Sequence, residues 1–167
     1  MTSSSTPERI SAAVLTVSDS CSRGERRDLS GPAVSAILAQ GGFDISAQEI
    51  VPDEKIAIHQ AILRLADTAH VVITTGGTGI ADRDVTPEAT QETCSRMLPG
   101  IPERMRIEGA RKTPFAALSR GVCGVCKKSV VLNLPGSLPG AVDSLSSVIE
   151  LLPHIVQLLN GNTTHSE

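Results

Sequence analysis

Aromatic residues are almost missing from this sequence: it has two Phe and neither Trp nor Tyr in 167 residues. The interior must therefore be aliphatic, because Val, Ile, Leu and Ala supply nearly all of the 40% apolar residues. The same shortage removes the stacking platforms that hold unpaired bases. Positive charge is short as well. Fifteen Lys and Arg against 18 Asp and Glu leave a formal net charge of −3, which gives no general attraction to a phosphate backbone and argues against a nucleic-acid partner. No uninterrupted apolar run reads as a membrane span and no signal segment opens the chain, so a cytosolic protein with no membrane partner is expected. There the four cysteines, Cys21, Cys94, Cys123 and Cys126, are expected as thiols. Cys123-Gly-Val-Cys126 has the C-x-x-C spacing of redox and zinc sites, yet no second pair and no nearby His in sequence accompanies it. It reads as small, partly buried residues on or beside a strand.

What is present points to one α/β domain over residues 9–161, with short tails at 1–8 and 162–167. Residues 12–17, 71–75 and 129–134 are short, continuous and rich in β-branched side chains, the pattern of buried parallel strands; residues 44–51 are a weaker fourth. Helical segments fall between them. Ser30-Gly31-Pro32 reads as a cap followed by an early-turn proline, and Gly41-Gly42 as the end of that helix. Residues 53–66 space Ile and Leu on one face. Thr86-Pro87-Glu88 reads as a cap, a first-turn proline and an acid favoured by the helix dipole. Residues 101–111 and 140–151 continue the series, with Pro153 marking a break before a last helix. Alternating strands and helices imply a three-layer fold, a mostly parallel sheet with helices on both faces.

Ligands collect beyond the carboxyl ends of such strands. Here each confident strand runs into a polar or glycine-rich loop: Ser18-Asp19-Ser20, Thr75-Gly76-Gly77-Thr78-Gly79 and Pro135-Gly136-Ser137. Glycines at these turns let backbone N–H groups approach an oxyanion. A side chain at Gly77 is expected to force an unfavourable backbone angle or to stand in the ligand's place. The loop matches neither a Walker A sequence nor G-x-G-x-x-G, but three such loops at one sheet end favour a phosphate or nucleotide site. Asp84 follows the glycine loop. With Thr86 placed to cap the helix, Asp84 is free for other work, and a carboxylate beside bound phosphate calls for a cation such as Mg²⁺. Asp53, after Pro52, reads equally as a second such carboxylate or as a plain helix cap. Arg23, Arg26 and Arg27 form a charged stretch that reads as a solvated face or as a cover over phosphates.

Thr74-Thr-Gly-Gly-Thr-Gly79, Arg83-Asp-Val-Thr-Pro-Glu-Ala-Thr90, Thr113-Pro-Phe-Ala-Ala-Leu-Ser-Arg120 and Asn133-Leu-Pro-Gly136 together resemble the MogA/MoaB family of molybdenum cofactor biosynthesis proteins, and the G domain of gephyrin is similar. The likeness runs from about residue 9 to 161. It implies a homotrimer that binds molybdopterin at the sheet end and, in the MogA branch, moves AMP from Mg-ATP to the terminal phosphate of the pterin. By this resemblance Asp84 and Asp53 are catalytic and hold Mg²⁺. Ser18, Asp19, Thr75, Gly76, Gly77, Thr78, Gly79, Pro135, Gly136 and Ser137 line the ligand site. Family members often carry Gly or Pro where Ile80, Ala81 and Asp82 stand, and Asn, Gln or Ser-Pro at the centre of the Pro135 to Pro139 loop. The alternatives are a MoaB-like pterin-binding protein and a non-catalytic carrier or scaffold.

Overall fold

The computed structural model describes residues 8–163; all but the last residue of the expected N-terminal tail, and most of the expected C-terminal one, lie outside them. The strands are β1 (Ser11–Val17), β2 (Asp44–Val51), β3 (Val71–Thr75), β4 (Arg96–Met97), β5 (Cys123–Cys126) and β6 (Ser129–Leu134). They form one sheet in the order β2-β1-β3-β6-β5-β4. β2, β1, β3 and β6 run parallel, while β5 is antiparallel to β6 and β4 to β5. The expected parallel sheet is thus borne out for four strands and gains an antiparallel edge. The turn at Lys127 makes that edge a hairpin. Lys127 adopts φ 57°, and Cys126 pairs with Ser129 across it.

Side chains alternate between the two faces of β1, β3 and β6, which are buried almost throughout, so each of these strands feeds two cores. Ala12, Val14, Val71, Ile73, Val130 and Leu132 face one core. Covering it are α2 (Ser30–Gln40), α5 (Gly100–Ala110), α6 (Leu138–Val148) and α7 (Leu152–Leu159), through residues such as Val34, Leu38, Met105, Leu145 and Leu152. Ala13, Leu15, Val17, Val72 and Val131 face the other core, covered by α3 (Lys55–Ala66) and α4 (Thr86–Thr93) through Ile58, Ile62, Leu65 and Ala89. Helices on both faces make the three layers that the alternation implied. α1 (Asp19–Ser22) is a single turn at the end of β1, and 3₁₀ turns occupy Pro114–Leu118 and Ile149–Leu151.

Several local expectations are corrected. Ser30 is the first residue of α2 rather than its cap, since the cap position falls on Leu29 without a side-chain bond. Thr86 likewise lies inside α4, behind Val85. Its Oγ1 donates to the Gly76 carbonyl at 2.9 Å instead. Helix α3 starts at Lys55 with Glu54 at the cap position, so Asp53 is no helix cap. Leu138–Leu159, 22 residues, has the length and composition of a membrane span, but Asp143 and Glu150 interrupt it and a 3₁₀ turn divides it. Ala141, Leu145, Val148, Leu152 and Val156 of this stretch are buried in the core.

The order opens 2-1-3, so the chain leaves β1 toward one edge and later β3 toward the other. That reversal opens a crevice beyond the carboxyl ends of β1 and β3. The ends of β2 and β6 flank it.

Candidate functional site

Each parallel strand delivers its next residues to the same end of the sheet. After β1, Ser18 Oγ accepts from Cys21 N at 3.2 Å and caps the short α1. Asp19 and Asp53 then lock each other: Asp19 N donates to Asp53 Oδ2 at 2.8 Å, and Asp53 N to Asp19 Oδ1 at 3.0 Å. Arg83, just past the glycine loop, grips the Asp19 carboxylate with Nε at 2.9 Å and Nη2 at 2.7 Å. The ends of β1, β2 and β3 are thereby tied through one carboxylate pair and one guanidinium.

The glycine loop divides its labour. Gly76, at φ 103°, would place a Cβ 2.2 Å from the Val17 carbonyl oxygen, so only glycine lets β3 leave the sheet this close to β1. Its N–H donates to Leu134 O at 3.1 Å, which makes Gly76 structural rather than an anion donor. Thr75 is also committed internally, with Oγ1 donating to Pro135 O at 2.8 Å. Gly77, at φ 67°, would put a Cβ 2.3 Å from Thr86 Oγ1 and 3.1 Å from Asp53 Oδ1. Of the two expectations for a side chain there, the unfavourable backbone angle is the one the positive φ bears out, and such a side chain would also strike Thr86. By contrast, the N–H groups of Gly77, Thr78, Gly79, Gly136 and Ser137 donate to no acceptor among the described residues. Unpaired amides at the mouths of two adjacent loops suit an anion. Ser137 Oγ accepts from Gly140 N at 3.2 Å and caps α6.

Two cavities open at this end. The larger, about 710 Å³, is walled by the loops after β3 and β6 and by Met105, Arg106, Lys112, Phe115 and Ser119. The smaller, about 410 Å³, is walled by Thr16, Arg26, Arg27, Asp28, Ser30 and Asp53. Gly77, Asp84, Gly136 and Ser137 border both. Arg26 and Arg27 of the charged stretch therefore face a cavity, whereas Arg23 pairs with Glu25 at 2.9 Å. Sequence reading missed Asp28, which accepts from Thr16 Oγ1 at 2.7 Å and Gly31 N at 3.0 Å at the base of the smaller cavity. It also missed the walls drawn from α5 and from residues 113–119. The Thr113 to Arg120 motif was the one available signal for these.

Electrostatics distinguish the acids. The Arg83 guanidinium holds the Asp19 carboxyl below its ordinary value. Burial pushes Asp53 up, and the neighbouring Asp19 and Asp84 carboxylates add to the rise. Asp84 Oδ2 accepts from Ala81 N at 3.0 Å. Asp84 Oδ1 and Asp53 Oδ1 have no partner among the described residues. Two like charges with free oxygens beside open amides fit a hard cation that takes one or two carboxylates and completes its shell with substrate phosphates. No group of three or more His, Cys, Asp or Glu suited to a metal occurs among the described residues, so an all-protein cage does not fit.

Residues 13–154 match the family described as a probable molybdopterin binding domain. The molybdopterin adenylyltransferase of Helicobacter pylori is 39% identical over 159 residues, covering 93% of this chain and 90% of that protein. The molybdenum cofactor synthesis protein cinnamon of Drosophila melanogaster is 38% identical over 168 residues, 96% of this chain, which spans 28% of that protein's length. Among solved structures, the molybdopterin biosynthesis enzyme MoaB of Thermus thermophilus superposes with a TM-score of 0.86 at 48% identity, covering 91% of this chain and 97% of that one.

Proposed function

The chain belongs to the molybdopterin-binding domain family of molybdenum cofactor biosynthesis, and on that premise we propose that it is a molybdopterin adenylyltransferase. It transfers AMP from Mg-ATP to the terminal phosphate of molybdopterin. The observation that carries this reading is the junction of two cavities at Gly77, Asp84, Gly136 and Ser137, where two substrates can meet beside unpaired amides and a free carboxylate oxygen.

An oxygen of the pterin phosphate attacks the α-phosphorus of ATP in line; the bond to the bridging oxygen breaks and pyrophosphate leaves. The attacking phosphate is already ionised at neutral pH, so no general base is required, in keeping with the placement of His59 against Thr93 and His70 against Ser11, away from both cavities. The protein's work is positioning and charge compensation. The amides of Gly77, Thr78, Gly79, Gly136 and Ser137 hold phosphate oxygens, Arg26 and Arg27 offset their charge, and the Asp19–Asp53–Arg83 lock fixes Asp53. Magnesium, held by Asp84 and Asp53, would supply positive charge to the reacting phosphates. The proposal extends to a cytosolic homotrimer acting on small molecules without nucleic-acid or membrane partners, in line with the resemblance and the net charge of −3.

The 48% identity to a MoaB enzyme favours a second reading, a pterin-binding protein or carrier that does not consume ATP. One experiment separates them. Incubation with purified molybdopterin, Mg²⁺ and ATP, followed by mass analysis, should yield adenylated pterin and pyrophosphate. Tight pterin binding with ATP left intact would hand the site to the carrier reading.

A further inference from the structure

Arg120 lies at the end of the segment that walls the larger cavity, yet it borders neither cavity itself. Its contacts all lead to the loop that carries Asp84. Nε donates to the Gly79 carbonyl at 2.7 Å, Nη2 donates to the Asp84 carbonyl at 2.8 Å, and Nη1 pairs with the Glu88 carboxylate. Its backbone N–H donates to Thr78 O at 2.8 Å.

A guanidinium is a planar fork whose donors keep fixed relative positions. One such fork on the carbonyls of Gly79 and Asp84 sets the distance between the two ends of residues 79–84. Within that span the Asp84 carboxylate is folded inward: its Oδ2 accepts from Ala81 N at 3.0 Å and would lie 2.7 Å from a Cβ on Gly79. The place of the carboxylate therefore follows from the shape of the span. Glu88 fixes the third corner from the first turn of α4, between the buried Pro87 and Ala89. Ile80 is 73% exposed, so packing by its side chain does little to hold the span.

We propose that Arg120 is a positioning residue for the transfer. By bracing Gly79 and Asp84 against Glu88 it sets the Asp84 carboxylate at the junction of the cavities, and it ties that setting to the 113–119 wall. This rests on the function proposed above. A lysine at position 120 reaches one acceptor well but cannot span two carbonyls and a carboxylate in one plane.

The test uses Arg120→Ala, Arg120→Lys and Glu88→Gln, with amide hydrogen exchange of residues 79–84 measured beside steady-state kinetics and a thermal melt. In Arg120→Ala, kcat should fall on the order of 100-fold, the scale of a small misplacement at a reacting centre. KM for both substrates should change little, as befits a group that touches neither. Exchange across residues 79–84 should quicken. Arg120→Lys should lie between Arg120→Ala and wild type. Glu88→Gln should lower kcat alone but add nothing in the Arg120→Ala background, since both act through one brace. Unchanged exchange in residues 79–84, unchanged kcat, or a loss that follows the folded fraction alone would overturn the proposal. A wild-type protein that makes no adenylated pterin sinks the functional reading instead. The exchange measurement is then read by itself, faster exchange upholding the brace on Asp84 and unchanged exchange refuting it.

Discussion

Gly76-Gly77-Thr78-Gly79 and Cys123-Gly-Val-Cys126 flank the same strand, β6, one beyond the end of β3 and the other within β5. Both are small-residue motifs with chemical associations. The glycine loop leaves the sheet, so the amides of Gly77, Thr78 and Gly79 lose their ladder partners and stay open to a ligand. The cysteine motif stays in the sheet and takes part in an antiparallel ladder along its whole length. Cys123 and Cys126 then point to opposite faces, one into each core. Three residues of strand separate their Cα atoms by about 10 Å, beyond the reach of a disulfide. Gly124 between them makes room for Cys94, whose Sγ would lie 2.8 Å from a Cβ there. What separates a site from a core here is whether the sheet has already claimed the backbone.

The largest effect should come from the open side. Asp84→Asn should lower turnover by about 10²- to 10³-fold, the range seen when one charge-stabilising group is removed, while pterin affinity in a calorimetric titration stays near wild type. Wild-type turnover in this variant, with only a lower melting temperature, would reduce Asp84 to a turn former and erase the contrast.

Gly76→Ala should act next, on the fold. Strained backbone and a contact with Val17 O should cost about 3 kcal/mol, or roughly 6–12 °C in a thermal melt of a chain this size. A melt within a degree or two of wild type would show that the loop is held less tightly against β1 than the 2.2 Å approach implies.

The smallest effect belongs to the cysteine side. Replacing Cys123 and Cys126 together with Ala should leave activity within a few-fold of wild type and cost roughly 1 kcal/mol per residue. A stoichiometric zinc ion lost together with activity would reverse the comparison. Burial pushes the thiols of Cys94 and Cys123 from 9.0 up to about 12. The folded protein should therefore resist iodoacetamide at these positions near pH 8 until it is unfolded, as mass mapping of the alkylated sites would show. The unfolded chain gives up these protons first, so the contribution to stability is complete below about pH 9 and is lost as pH rises toward 12.

Short β-branched runs bounded by polar loops were enough to read β2, β3 and β6 at their observed ends, and β1 to within one residue. In β1, β3 and β6 such runs state their own burial, whereas β2, at the sheet edge, is half exposed. β4 has two residues, both exposed, and left no such mark. The helix starts were misjudged where a side chain had a stronger bond elsewhere. Thr86 had the composition of a cap but donates to Gly76, ten residues back, and Asp53 serves Asp19, 34 residues away. No local window contains those partners.

The sequence by itself determined the layered α/β class, the family, and the loops that gather at the carboxyl ends of β1, β3 and β6, because periodicity and motif residues act over short spans. Tertiary structure alone decided which of those residues keep a free donor or acceptor. Gly76 and Thr75 turned out committed to the scaffold, Gly77 and Gly79 open, and Asp28, Arg106 and Lys112 drawn in as cavity walls. The order of strands settled this, because a hydrogen bond is a relation between atoms that the fold brings within 3 Å or so of each other, however far apart they stand along the chain.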